Sequence, residues 1–280
     1  MHAVAPPPTD PLTQPGPWNA VAATYDEVCF AQYADLADAA IELLAPEPGD
    51  RVLDVAAGPG TLSVRLAPRV GHVMAIDFAE VMIERLRGHV MRSRLPNVEA
   101  RIMNGQELAF EDSSFDAAVS LFGVFLFDDR ARGLSEMYRV VVPGGRVVFS
   151  SWAPSDQNAL IGAGMTALRE ALPELPRPQG PLPTQVAEVC AAELEQLGFE
   201  QVATQMFQKP VRFASVADYW RDFERASAPL QLLREKLGAD AYTDVAARAS
   251  AALRTTWGEG AFELACSAIL TFGERPLSAA

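Results

Sequence analysis

The stretch Arg51-Val-Leu-Asp-Val-Ala-Ala-Gly-Pro-Gly60 decides how the chain is read. Val52 to Val55 make a short apolar run that reads as a buried β-strand, with Asp54 near its C-terminal end. A loop of small residues follows, Ala56 to Gly60, and then a helix-like run, Thr61-Leu-Ser-Val-Arg-Leu-Ala67. Strand, tight loop and helix in this order let a ligand approach bare backbone N–H groups at a helix N-terminus. Small residues serve this because a Cβ would hold the ligand away, and Gly accepts a positive φ at the turn.

The loop lacks the third Gly of a dinucleotide fingerprint: Gly58 and Gly60 are followed by Val64 and Leu66. Asp54 stands beside the loop, where a carboxylate repels a pyrophosphate and suits a cation. Gly71-His-Val-Met-Ala-Ile-Asp77 reads as a second buried strand ending in an acid. Asp77 lies 17 residues after Gly60, about where nucleoside-binding α/β folds carry the acid that grips a ribose diol. A cationic ligand with a ribose and no pyrophosphate describes S-adenosyl-L-methionine, or SAM.

Four segments then carry a family resemblance. They are Asp54-Val-Ala-Ala-Gly-Pro-Gly60, Ala75-Ile-Asp-Phe-Ala-Glu-Val-Met82, Asn104-Gly-Gln-Glu-Leu-Ala-Phe-Glu-Asp-Ser-Ser-Phe-Asp116, and Glu136-Met-Tyr-Arg-Val-Val-Val-Pro-Gly-Gly-Arg146. In order and spacing the chain resembles class I SAM-dependent methyltransferases of the small-molecule type, similar to those of ubiquinone and menaquinone biosynthesis. The resemblance covers about residues 18–152. It implies a Rossmann-like α/β fold: a seven-stranded, mostly parallel sheet with helices on both faces and a helical cap. It places the antiparallel seventh strand between the fifth and sixth. It also implies SAM as cofactor and S-adenosyl-L-homocysteine (SAH) as product.

Composition agrees with an enzyme of this kind. The formal net charge of −13 opposes binding to nucleic acid or an anionic membrane surface. No apolar run approaches the length of a bilayer span, and no basic segment with an apolar core opens the chain, so a cytoplasmic protein is expected. Cys29, Cys190 and Cys266 are sparse and odd in number, as in a reducing compartment. Cys and His form no ligand-spaced pairs, so no metal site is expected. The partner is a small molecule, and a monomer and a homodimer are both open.

Along the chain, the Pro-rich residues 1–17 read as a disordered tail. Residues 18–152 read as the cofactor-binding core with its N-terminal cap helices, and 153–280 as the rest of the same domain. Helices are expected over Trp18–Asp26 and Ala34–Leu44, then strands near 51–55, 72–76, 98–103, 115–121 and 146–151 with helices between. Val142-Pro-Gly-Gly145 fits a tight turn. Residues 153–183, with Pro154, Pro173, Pro176, Pro178, Pro181 and Pro183, read as irregular surface. A helix follows from Thr184, its candidate N-cap, to Leu197. Strands near 201–209 and 262–272 flank helices over 215–225 and 229–257, the latter broken near Gly238.

Candidate roles follow by position. Ala56, Gly58 and Gly60 would meet the methionyl and ribose parts, and Asp54 the positive methionyl end, unless it only bonds loop N–H groups. Asp77 would accept both ribose hydroxyls or cap the next helix. Phe78 and Met82 would flank the adenine or sit in the core. Asn104 stands where many relatives carry Asp; its amide oxygen still accepts from the adenine amino group, and the Gly105 and Gln106 backbones reach the ring. Ser120-Leu-Phe-Gly-Val-Phe-Leu-Phe127 lies beyond a strand end, on the ligand side of such sheets. Leu121 would face the cofactor. Phe122, Phe125 and Trp152 would wall the substrate, and Trp18 and Tyr25 would cover it, unless these aromatics are core. His2, His72 and His89 sit in a tail, at the wrong strand end and at a helix end, so no histidine base is expected. Methyl transfer then rests on proximity, with Tyr25 or Asp26 as candidate assistants. Rival readings are a SAM-fold enzyme with non-methylating chemistry such as cyclisation, a non-catalytic SAM-binding protein, and an NAD-dependent oxidoreductase.

Overall fold

A computed structural model describes residues 10–177 and 179–277. In chain order its elements are α1 (Pro15–Gln32), α2 (Ala34–Leu44), β1 (Arg51–Val55), α3 (Thr61–Leu66), β2 (His72–Asp77), α4 (Glu80–Ser93), β3 (Val98–Ile102), β4 (Phe115–Ser120), α5 (Arg130–Val140) and β5 (Val141–Trp152). Then come α6 (Ala159–Ala171), α7 (Ala187–Gln196), β6 (Glu200–Phe213), α8 (Val216–Arg225), α9 (Ala228–Leu237), α10 (Ala239–Trp257) and β7 (Phe262–Glu274).

The seven strands form one sheet in the order β3-β2-β1-β4-β5-β7-β6, and β7 runs antiparallel to both neighbours, as expected. Period-two alternation divides the strand residues between two cores. Val52, Ala117, Val119 and Val148 face one side with α2 and α3. Leu53, Ala118, Val147 and Phe149 face the other with α5 and α7. In a third apolar cluster α6, α8, α9 and α10 pack into a cap over Phe213 of β6 and Leu264 and Cys266 of β7. The strand order reverses between β1 and β4, so a crevice opens beyond their C-terminal ends. No helix among the described residues is long and apolar enough to cross a membrane.

Four expectations need correction. Ordered structure begins before Trp18: Asp10 caps a short turn over Pro11–Thr13, and α1 starts at Pro15. Proline suits the first helical position because its missing N–H has no intrahelical partner there. The part of the supposed tail before residue 10 lies outside the described residues. Second, 153–183 is not uniformly irregular. Its prolines flank a proline-free segment, 155–172, that folds as α6 and buries Leu160, Ala167 and Leu168. Third, Thr184 does not cap α7, which starts after Val186. Fourth, Val142–Gly145 is an irregularity inside β5 rather than a turn before it. The register shifts there, with Gly144 at φ +79° and its N–H bonded to Arg275 O.

Candidate functional site

The loop after β1 takes its shape from three left-handed residues: Ala56 (φ +55°), Gly58 (+55°) and Gly60 (+91°). Asp77, at the end of β2, holds this loop. Its Oδ2 accepts from Gly58 N at 2.9 Å and its Oδ1 from Ala79 N at 2.8 Å. The carboxylate thus serves the loop and the entry of α4 together, and each oxygen keeps a further lone pair for a ligand. Asp77 is 6% exposed. Burial pushes its pKa up to about 6, against the pull of the Ala79 and Gly58 amides.

A cavity of about 680 Å³ opens in front of this loop. Its wall includes Ala56, Gly58, Asp77, Phe78 and Met82, with Asn104, Gly105, Gln106 and Leu121. Trp18 and Tyr25, which pack with Phe78 and Met82, line it too, as do Phe122, Phe125 and Trp152. These aromatics touch one another: Trp18 meets Tyr25 at 6.4 Å between ring centroids, and Phe122 stacks on Trp152 at 3.7 Å. Phe122 is held in a left-handed conformation, φ +58°, with its N–H donated to Ser150 Oγ at 2.9 Å. Such strain in a non-glycine residue clusters at binding sites, because the surroundings must over-determine it.

Three candidates lie elsewhere. Asp54 is 1% exposed and does not line the cavity. It accepts from Ser63 Oγ at 2.5 Å, tying α3 to β1 behind the loop. Gly60 also stays off the cavity wall, and a Cβ there would lie 2.6 Å from Leu86 Cγ, so it serves helix packing. Asp26 is turned away as well. It pairs with His89 Nε2 at 2.7 Å, and the His89 ring stacks on Phe30 at 3.8 Å. His89 thereby anchors α1 to α4 instead of merely complementing a helix end.

Several lining residues went unread in the sequence. Asp10, Leu12 and Thr13 belong to the supposed tail. Cys29 and Tyr33 continue the Trp18–Tyr25 face of α1 at helical spacing, a periodicity that could have revealed them. Tyr219, Asp222 and Phe223 arrive from α8, and no local signal ties them to the loop.

Burial, then the neighbouring Cys29 and Asp77, hold the Tyr25 phenol well above its ordinary pKa. Tyr33 is raised likewise by burial first, and burial pushes the Cys29 thiol up to about 12. These groups stay protonated at neutral pH and face the cavity as donors, not as bases. Acids at the wall (Asp10, Asp77, Asp222) outnumber the one basic residue, Arg130, which is paired with Glu193. A cationic ligand suits that balance.

Burial also pushes Asp54 up to about 7, with Ser63 opposing the rise and Asp77 adding to it. A raised acid stabilises the fold below its unfolded value, and that stability is lost as pH climbs through the folded value. Asp38 and Glu136, held low by bonds from Arg65 and Arg139, act the other way at more acidic pH. The ligand-free protein is therefore expected to lose thermal stability between about pH 4 and 7. Asp54→Asn, which keeps an acceptor for Ser63, should raise the melting temperature at pH 8 by about 5 °C and have little effect at about pH 3.5. Differential scanning calorimetry at both pH values checks this; equal melting shifts at the two would refute it.

Comparison with known proteins places these features in a family. Residues 52–145 match the family model described as a methyltransferase domain. The demethylmenaquinone methyltransferase of Clavibacter sepedonicus is 42% identical over 113 residues, 39% of this chain and 44% of that protein. The ubiquinone/menaquinone biosynthesis C-methyltransferase UbiE of Geotalea daltonii is 35% identical over 113 residues, 39% of this chain and 48% of its own length. The matched part is thus less than half the length of these curated relatives.

Among solved structures, the YcgJ protein of Bacillus subtilis superposes with a TM-score of 0.56 at 19% identity, covering 86% of this chain and 97% of its own. The [4+2]-cyclase SpnF gives 0.54 at 18%, covering 88% and 82%. Phosphoethanolamine N-methyltransferase 2 of Haemonchus contortus, in complex with SAM, gives 0.56 at 14%, covering 92% and 57%. At these identities the structures speak for the fold, while the family-model match runs from β1 into β5 and contains the loop and Asp77. Residues 52–145 thus match a methyltransferase domain, set within a fold that the chain shares with these solved structures.

Proposed function

We propose that this chain transfers the methyl group of SAM to a small, largely apolar metabolite, aromatic or quinone-like, held beneath the α1–α6–α8 cap. One observation carries this reading: a single cavity joins the Asp77 loop to an aromatic pocket. The fit to a nucleoside rests on residues present. A Cβ on Gly58 would meet nothing within 4 Å, so the loop leaves room above its backbone. Asp77 offers two acceptors for a diol, Phe78 and Met82 an apolar flank, and Asn104 a polar edge.

Bound SAM supplies an electrophilic methyl carbon on a good leaving group. The protein's task is to bring the nucleophile into line with it and exclude water, which can supply ~7–11 kcal/mol of a barrier. The Phe122–Trp152 stack and Tyr33 form walls against which a planar acceptor is held. Tyr25 and Tyr33, kept protonated, donate hydrogen bonds to a polar edge of the acceptor. The relatives act on demethylmenaquinone by name, which supports an acceptor of that general kind. The chain works inside the cell's aqueous phase as a monomer or homodimer.

Mass spectrometry tests this. The protein is incubated with SAM and a panel of phenols, hydroquinones and amines. Methylated product and SAH should appear in equal amounts. Product formed without SAM consumption would favour a cyclase-like chemistry, and tight SAM binding without turnover across the panel a non-catalytic role. With an accepted substrate, Tyr25→Phe should lower kcat/KM by about tenfold, the worth of one hydrogen bond. It should introduce no new limb in the pH profile, because the phenol never ionises. Unchanged kcat/KM would remove Tyr25 from the mechanism.

A further inference from the structure

The cavity does not end at its aromatic pocket. On the outer side of the cap, between α6 and α9, lies a groove of about 270 Å³ lined by Leu168, Leu175, Leu230 and Leu233, with Lys236 at its rim. Met165 and Pro229 line both this groove and the cavity, so the two spaces meet at these side chains. Met165 is half-buried and Pro229 exposed, so neither is locked in packed core. Methionine is unbranched and polarizable and adapts to a chain lying beside it. Ser227 caps α9 through Leu230 N at 3.3 Å, fixing the helix start that carries Pro229 at the portal.

The lining changes character along this path. The cavity wall combines the polar groups of the Asp77 loop with aromatic rings, and the groove past Met165 is aliphatic. A planar headgroup matches the aromatic part and a methylene chain the aliphatic part. The groove is far too small for a protein partner, which would bury ~800 Å² of each surface. It also lies wholly outside residues 52–145, so the segment shared with the relatives has no counterpart to it.

We propose that the acceptor is an amphiphile whose aliphatic chain leaves the cavity across Met165 and Pro229 and lies in the α6–α9 groove. This rests on the methyltransferase reading for the position of the headgroup. Met165 then acts as a specificity-determining residue for chain length.

A homologous series of 4-n-alkylphenols, ethyl to decyl, is titrated by calorimetry into protein saturated with SAH. SAH binding is measured first, so its absence would count against the methyltransferase reading and not against the groove. Affinity should rise by about fourfold per methylene, the usual gain for a buried CH₂, past the length the aromatic pocket holds. Met165→Trp should fill the passage and flatten this rise for the longer chains. Leu233→Asp, which places a charge in the groove at a half-buried position, should flatten it too and guards against a misfolded Trp variant. No binding of any member, a plateau in the unmodified protein at the shortest chains, or an unaltered slope in both variants would overturn the proposal.

Discussion

Asp77→Ala will bind SAM about 100-fold more weakly than the unmodified protein, and SAH by a similar factor. Two charge-assisted hydrogen bonds to a ribose diol contribute roughly 1.5–3 kcal/mol each, part of which water recovers, leaving about 3 kcal/mol. The same carboxylate holds Gly58 N and Ala79 N, so its removal also frees the loop that faces the ligand. Asp77→Asn separates the two effects: it keeps an acceptor for the loop, loses the charge, and should cost about tenfold. Ligand binding favours the ionised carboxylate. With its ligand-free value near 6, affinity should therefore fall as pH drops below about 6 and level off above it. Calorimetry at several pH values checks all three statements. Losses under threefold for the Ala variant would show that the diol is held elsewhere.

Gly60→Ala will destabilise the fold by about 3 kcal/mol, lowering the melting temperature by roughly 6–9 °C. The left-handed φ of +91° costs ~1–2 kcal/mol for any residue with a Cβ, and that Cβ would sit 2.6 Å from Leu86 Cγ and 3.2 Å from its Cδ1. Leu86 is itself fully buried in α4 and has nowhere to move. Gly58→Ala makes the opposite demand. Its φ of +55° is one that Ala56 already adopts two residues away, and its Cβ meets nothing within 4 Å. About 1 kcal/mol of stability is the expected loss there, with SAM affinity reduced at least tenfold because the methyl enters the space above the loop. Thermal melts and titrations on both variants distinguish a glycine needed for packing from one needed for ligand approach. If Gly58→Ala bound SAM normally, the loop would not be the cradle.

Much of this was legible in the sequence because the informative signals are local. Strand residues such as Val52, Leu53, Val147 and Val148 announce themselves by apolarity, and the helical stretches between successive strands are the crossovers that parallel pairing needs. Asp77 could be placed from its distance to the loop. Cavity-lining roles for Phe122, Phe125 and Trp152 followed from their position beyond strand ends.

Failures arose where neighbours distant in sequence decide the outcome. Asp54 reads as a ligand group until Ser63 is seen to occupy it, and Gly60 reads as cradle until Leu86 closes over it. Pro154 and Pro173 hid α6 because they were read as breaking the whole segment instead of bounding it. Tyr219, Asp222 and Phe223 reach the cavity from residues beyond 215, and Asp10 to Thr13 from what looked like a tail; neither group has a sequence pattern linking it to the loop.

The cap has an apolar cluster of its own, distinct from the two cores that sandwich the sheet. That separation lets the halves drift independently over generations. Changes among α6, α8 and α9 can retune which metabolite is admitted while the nucleoside end keeps its chemistry, so a new specificity can be grafted here without rebuilding the engine beneath it.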